Sequence, residues 1–306
     1  MGRKKTAFVF PGQGAQKIGM GREFYSAGNW VDDIFTQADD ILGYDIKEKI
    51  FNGPAEELKK TEYTQPAVYL TEYIIYKSVL NKGLKPEVVA GHSLGEYTAV
   101  VASGALNWQQ GLDLVNFRGK MFKKAGEENP GTMIAVIGFN IDKVFEALDS
   151  IDGISEIVNY NSPSQIVVSV EEKIKSKVIS GLKKTGCKRV IPLRVSGAFH
   201  SVLMEPAVEP MREKIESMDF NEPDITLYSN CTGNVAESKH QIKENLINQV
   251  NSPVKWNAII ENIYGSNPDI RFFEIGPGKI LQGLIRKINR DIEVASISTP
   301  QDINNI

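Results

Sequence analysis

Short apolar runs punctuate the chain. Residues 7–10, 88–90, 272–275 and 294–297 are apolar at nearly every position. A strand with no polar alternation is covered on both faces, so these runs predict a parallel sheet between helical layers. Longer segments between them follow helical spacing. One has Pro66 in its expected first turn and Gly83 at its carboxyl end, with Val68, Leu70, Ile74, Ile75, Val79 and Leu80 between them. Another runs from about Gln109 to Lys124, with Leu112, Val115, Met121 and Phe122 on its apolar side.

The middle of the chain has a different rhythm. Residues 132–137 predict a strand, and Asp142 is placed to cap a helix running through Leu148. Residues 154–160 and 165–170 predict two strands joined by the turn Asn161-Ser162-Pro163-Ser164. A helix over 174–184, stopped by Gly186, and a strand over 189–195 complete a β-α-β-β-α-β order. The expected fold is α/β: a large α/β-hydrolase-like domain with a parallel sheet, residues 1–130 and 197–306, interrupted by a ferredoxin-like subdomain over 131–196. Residues 301–306 read as a loose tail.

Composition narrows the function classes. The chain has 306 residues, 42% of them hydrophobic, and a formal net charge of -3. That charge argues against nucleic-acid binding, which needs a positive field. The two cysteines, Cys187 and Cys231, lack metal or disulfide spacing. They suit a cytoplasmic protein with no metal and no bound cofactor. The apolar stretches fall well short of the roughly 18 residues that suggest a membrane span. Arg3-Lys4-Lys5 precedes Ala7-Phe8-Val9-Phe10, which is too brief for a signal-peptide core.

The chemistry concentrates where the run Val88-Val89-Ala90 meets Gly91-His92-Ser93-Leu94-Gly95 and a long helical pattern begins at Glu96. Strand, sharp turn and helix form the context of a nucleophile elbow. The turn presents the Ser93 hydroxyl at the strand end and turns the next amides toward any charge forming there. A serine needs a base, and only His92, His200 and His240 exist. His92 adjoins the serine but points elsewhere on an elbow, and His240 lies in a polar stretch. Elimination leaves His200. No carboxylate announces itself as a third member; Asp219 and Glu222 read as surface residues. A carbonyl oxygen is an alternative partner for the imidazole, giving a Ser-His dyad. Gly12-Gln13-Gly14 fits two readings equally, a plain turn or a source of oxyanion-stabilising amides beside that of Leu94. Arg118 also fits two: a snorkelling surface arginine, which burial statistics favour, or a cleft residue gripping a carboxylate.

Taken together, the motifs resemble the malonyl-CoA:acyl-carrier-protein transacylases of bacterial fatty acid synthesis. They are Phe10-Pro11-Gly12-Gln13-Gly14-Ala15-Gln16, Thr64-Gln65-Pro66-Ala67, Gly91-His92-Ser93-Leu94-Gly95-Glu96-Tyr97, Arg118-Gly119, Asn161-Ser162-Pro163, Gly197-Ala198-Phe199-His200-Ser201, Gln249-Val250-Asn251-Ser252-Pro253-Val254 and Phe273-Glu274-Ile275-Gly276-Pro277-Gly278. The resemblance implies that Ser93 is acylated by malonate and that His200 serves as base and then acid. It implies that the amides of Gln13 and Leu94 form the oxyanion hole and that the Gln249 carbonyl orients His200. It further implies that Arg118 grips the malonyl carboxylate and that Phe199 closes space against a branched acyl group. The implied partners are malonyl-CoA and a phosphopantetheinylated acyl carrier protein, with no nucleic acid and no membrane insertion. Lys183, Lys184, Lys188 and Arg189, with Arg286, Lys287 and Arg290, are candidate docking cations. A serine hydrolase and a non-catalytic carrier-binding module are the competing expectations.

Overall fold

The computed structural model describes residues 4–305, so Arg3 and Ile306 lie outside the described residues. Five strands form a parallel sheet: β1 (Thr6–Phe10), β2 (Val88–Gly91), β7 (Thr226–Tyr228), β8 (Arg271–Ile275) and β9 (Val294–Ile297), ordered β7-β2-β1-β8-β9. The remaining four, β3 (Gly131–Ile137), β4 (Ser155–Ser162), β5 (Gln165–Glu171) and β6 (Arg189–Pro192), form an antiparallel sheet ordered β4-β5-β3-β6. This agrees with the α/β class and parallel sheet expected from the apolar runs. β7 carried no such run; it is three residues long and pairs with β2 at the edge of the sheet.

Alternation along β1 shows why the parallel strands are apolar throughout. Phe8 and Phe10 enter a large core with the helices Thr61–Asn81 and Trp108–Glu128. Ala7 and Val9 enter a second core on the opposite face with Trp256, Ile259 and Leu281. Side chains alternate across a strand, so a strand with helices on both sides needs apolar groups at both parities.

The smaller sheet also has two occupied faces. Ile134, Val136 and Val168 pack with Val144, Leu148, Val178 and Leu182 of the two intervening helices. Met133 and Val167 point the other way, into the large core. Val254 extends the edge of β4: its amide donates to the Val158 carbonyl at 2.8 Å, and its carbonyl accepts from the Tyr160 amide at 2.9 Å. The segment that follows Gln249 is thereby stitched to the small sheet.

Several local expectations need correction. Pro66 lies six residues into the helix Thr61–Asn81, not in its first turn. The helix therefore runs past the hydrogen bond that proline cannot donate, held by packing on both sides. The cap at the 141–149 helix is Asn140, whose side chain accepts from the Lys143 amide, rather than Asp142. β6 stops at Pro192, three residues early. The pattern after Ser93 forms only an eight-residue helix, Gly95–Ala102. Residues 300–304 are a short helix rather than a loose tail, since Thr299 and Asp302 form a capping box around Pro300.

Candidate active site

The loops at the carboxyl ends of β1, β2, β7 and β8 converge, the usual place for a site on an open parallel sheet. At the end of β2 the chain turns so sharply that Ser93 adopts φ 53. A side chain in this left-handed region carries strain. Two glycines make the turn sterically feasible. A Cβ on Gly91 would sit 1.9 Å from the Gly95 carbonyl carbon, and one on Gly95 would sit 2.1 Å from the Phe10 oxygen. Asn230, just past β7, braces the turn. Its Oδ1 accepts from the Ser93 amide at 2.6 Å, and its Nδ2 donates to the Gly91 carbonyl at 2.6 Å.

His200 lies after the small sheet, where the chain returns to the large one, and also has a positive φ of 64. Ser169 of β5 donates to the Phe199 carbonyl at 2.7 Å and anchors this loop. The His200 Nε2 lies 2.7 Å from the Ser93 Oγ, and its Nδ1 lies 2.8 Å from the Gln249 carbonyl oxygen. A carbonyl only accepts, so Nδ1 carries the proton and Nε2 is free to take one from the serine. The carbonyl occupies the place a carboxylate would have in a triad. Burial first, and then the nearby Arg118 cation, push the His200 pKa down to about 3.

Arg118 is 1% exposed, so the surface reading of this residue is wrong. Its helix, Trp108–Glu128, packs tightly against Thr61–Asn81 because Gly119 presents no side chain; a Cβ there would lie 3.1 Å from the Glu62 Cα. The approach places one Arg118 Nη 2.8 Å from the Gln65 Oε1. The other Nη lies 3.0 Å from the Gln249 Oε1 and 3.2 Å from the Ser93 Oγ. The guanidinium also lies over the Phe122 ring, 3.9 Å from its centre. Burial lowers its pKa. Gln13 lies in the loop after β1, where Gly12 packs against the His92 carbonyl. Among the described residues neither the Gln13 amide nor the Leu94 amide has a protein acceptor.

A cavity of about 220 Å³ opens over these groups, between the two sheets. Its polar wall includes Gln13, Ser93 and His200, and its apolar wall includes Phe199, Val195 and Leu284. Phe199 packs against Phe122 with ring centres 5.3 Å apart. The other histidines have different partners. His92 bonds Asn161 at 2.8 Å and packs on Trp256, and burial lowers its pKa. His240 is 81% exposed beside Glu244. Among the described residues no group of three His, Cys, Asp or Glu side chains could hold a metal ion.

Three site residues had no role assigned from the sequence. Gln65 lies within a motif that carried the resemblance, yet nothing local says that it meets Arg118. Glu96 reads as a first-turn helix acid but is buried against Gln249. Asn230 has no signal in its neighbours Ser229 and Cys231, because its partners lie more than a hundred residues away.

Known proteins resemble the chain over nearly its whole length. The acyl transferase domain family matches residues 7–299. The malonyl CoA-acyl carrier protein transacylase of Bacillus subtilis (strain 168) is 38% identical over 98% of this chain and 95% of the relative. That of Staphylococcus aureus (strain MRSA252) is 39% identical over 98% and 97%. Among solved structures, a malonyl-transacylase in complex with its type II PKS acyl-carrier protein superposes with a TM-score of 0.94 at 34% identity, covering 98% of each chain. An acyl carrier protein S-malonyltransferase from Vibrio cholerae gives 0.92 at 34% identity, covering 98% and 99%. The chain belongs to the acyl transferase family, as a member of its malonyl-CoA:acyl-carrier-protein transacylases.

Proposed function

We propose that the protein moves a malonyl group from malonyl-CoA to the phosphopantetheine thiol of an acyl carrier protein, by a ping-pong route through a malonyl-serine. One observation carries this reading. A fully buried guanidinium stands beside a serine hydroxyl that is hydrogen-bonded to a neutral imidazole. Among the described residues no carboxylate lies within 4.0 Å of that guanidinium. A buried cation with no anion in direct contact is costly, and an acyl group ending in a carboxylate supplies that partner.

The steps follow from this geometry. The Ser93 Oγ attacks the thioester carbon as its proton passes to His200 Nε2. The charge that develops on the carbonyl oxygen falls to the amides of Gln13 and Leu94. The C–S bond breaks, and His200 returns the proton to the departing CoA sulfur. The carrier thiol then gives its proton to His200 and attacks the serine ester; the C–O bond breaks, and His200 returns that proton to the Ser93 Oγ, which restores the free hydroxyl. Throughout, Nδ1–H stays on the Gln249 carbonyl and keeps the ring aligned. In a malonyl ester the carboxylate stands two carbons from the serine oxygen, a span that suits a guanidinium 3.2 Å from that oxygen. The Phe199 ring narrows the same space against a branched acyl group. Pairing of Arg118 with the substrate carboxylate also removes the cation's depressing effect on His200, so the base strengthens when the correct acyl group is bound.

The antiparallel order β4-β5-β3-β6 supports reading residues 131–196 as a ferredoxin-like insert. Residues 1–130 and 197–306 then form an α/β-hydrolase-like domain, and the cavity between the two admits the pantetheine arm that both thiols share. Among the described residues no helix is long and apolar enough to cross a membrane, and both cysteines are free. These features fit a cytoplasmic enzyme of fatty acid synthesis. Intact-protein mass spectrometry after mixing with malonyl-CoA tests the reading. A malonyl adduct on Ser93, discharged by carrier protein, is expected. Rapid release of free malonate would indicate a hydrolase, and no adduct a binding module.

A further inference from the structure

Behind the reacting pair lies a buried carboxylate that the reaction itself does not use. Glu96 is 1% exposed, in the first turn of the helix Gly95–Ala102. Its Oε1 accepts from the Asn230 amide at 3.1 Å, and its Oε2 accepts from the Gln249 Nε2 at 2.5 Å. The Ser229 hydroxyl also hydrogen-bonds to it, so three donors face this carboxylate. Gln249 is itself fully buried, and all of its polar atoms are committed. Its backbone carbonyl holds His200, its Nε2 also donates to the Ser93 carbonyl at 3.0 Å, and its Oε1 accepts from Arg118 at 3.0 Å.

A carboxamide has two ends of nearly equal size, so only its neighbours decide which way it faces. Here the nitrogen meets two acceptors and the oxygen meets a guanidinium. Turning it over would set an NH₂ against Arg118 and an oxygen against a carboxylate. We infer that Glu96 is a positioning residue for acyl-group selection: it locks the Gln249 carboxamide with its oxygen toward Arg118, which aims the guanidinium at the free carboxylate of the acyl group. This rests on the malonyl-transfer reading and extends it to a residue that touches no substrate.

Substituting Glu96→Gln exposes the logic. Glutamine offers one acceptor where glutamate offers two. The Asn230 donor is a backbone amide and cannot turn, so the new oxygen must stay with it. The new NH₂ then meets Gln249, which must flip and turn its own NH₂ toward Arg118. A merely structural role would predict a lower melting temperature and an equal loss for every acyl group.

The test measures kcat/KM for malonyl-CoA and for acetyl-CoA, with acyl carrier protein as acceptor, in the wild type, Glu96→Gln, Gln249→Met and the double variant. Gln249→Met keeps the backbone carbonyl that holds His200. Each single change should lower the malonyl-to-acetyl ratio by about tenfold or more, as unpaired buried polar groups do in specificity sites. Because both act through one carboxamide, the double variant should fall no further than either single. A folded Glu96→Gln enzyme with an unchanged ratio, or fully additive effects, overturns the inference. Should Glu96→Gln not fold, Gln249→Met decides: an unchanged ratio there removes the route through the Gln249 carboxamide and overturns the inference. A wild type that transfers no malonyl group removes the underlying reading as well; a competent wild type with ratio-neutral variants removes only the role of Glu96.

Discussion

A guanidinium nitrogen of Arg118 lies 3.2 Å from the Oγ of Ser93, in a site whose other partners for that cation, Gln65 and Gln249, are neutral. Replacing Arg118 with alanine is therefore expected to reduce malonyl transfer by about a hundredfold or more while sparing acetyl transfer relatively, since a charge-assisted pair is lost for one acyl group only. Steady-state kinetics with both thioesters reads this directly. Equal loss for the two would mean that Arg118 supports the fold rather than the substrate.

The acid–base behaviour of His200 should show the same cation. A histidine with a depressed pKa stays neutral as the pH falls, so the base form persists far below the ordinary value of about 6.5. With the pKa at about 3, NMR of ring-labelled histidine should find His200 neutral at pH 5 in the free enzyme. Removal of the nearby charge in Arg118→Met should move its titration upward. A wild-type His200 that titrates near 6.5 contradicts this environment. The stability linkage has the matching sign: the unfolded imidazole takes a proton below about 6.5 while the folded one does not, so this site loses stability as pH falls from there toward 3.

The elbow should tolerate no side chain at its second glycine. Gly95→Ala places a methyl group 2.1 Å from the Phe10 oxygen, a main-chain atom of the central strand that cannot swing away. The expected outcome is a loss of several kcal/mol of stability, in the range seen for severe core overpacking and backbone strain, together with loss of Ser93 acylation. Thermal unfolding and adduct formation measure the two effects. A variant with normal melting and normal acylation would show that the turn is not as tight as drawn.

Carrier-protein docking should draw on cations near the cavity. Lys287 donates to Gln165 at 3.0 Å, and Gln165 lines the cavity, so the segment holding Arg286 and Arg290 borders its mouth. Reversing charge at Arg286 and Arg290 should raise the KM for carrier protein several-fold at low salt and much less at high salt, as expected for screened surface attraction. An unchanged KM at low salt discards this patch.

A second buried carboxylate makes a stability prediction. Glu72 accepts from the Thr98 hydroxyl near Glu274, and burial raises its pKa well above the ordinary carboxylate value. A raised folded pKa contributes stability that is complete below the unfolded value and lost as pH rises through the folded one. Glu72→Gln carries no charge to bury, so its melting temperature relative to the wild type should increase from pH 5 to pH 9. A difference that stays flat or declines over that range would place an ionised Glu72 in the native protein.

The legible parts of the chain were those whose cause is local. The apolar runs at 7–10, 88–90, 272–275 and 294–297 each fall within a strand of the parallel sheet. The alternating centre of the chain gives the β-α-β-β-α-β order because strand and helix periods differ. The elbow was readable because Gly91 and Gly95 stand where the turn brings main chain too close for a Cβ. Boundaries were less legible. The helix through Pro66 extends past a residue that ought to start it, because packing against two neighbours outweighs one missing hydrogen bond.

Sequence alone thus determined four of the five parallel strands, the sharp turn at Ser93 and, by scarcity of histidine, the choice of His200 as its candidate partner. It could not determine that Arg118 is buried, since a cation on an amphipathic helix looks the same whether its face meets water or a neighbouring helix. Tertiary structure decided that through Gly119, whose missing side chain lets two helices close and seals the guanidinium between Gln65, Gln249 and Ser93. It also decided the bracing by Asn230 and the alignment of Gln249 by Glu96. Hydrogen bonds between residues more than a hundred positions apart depend on where the sheet brings strand ends together, and no local pattern encodes that meeting.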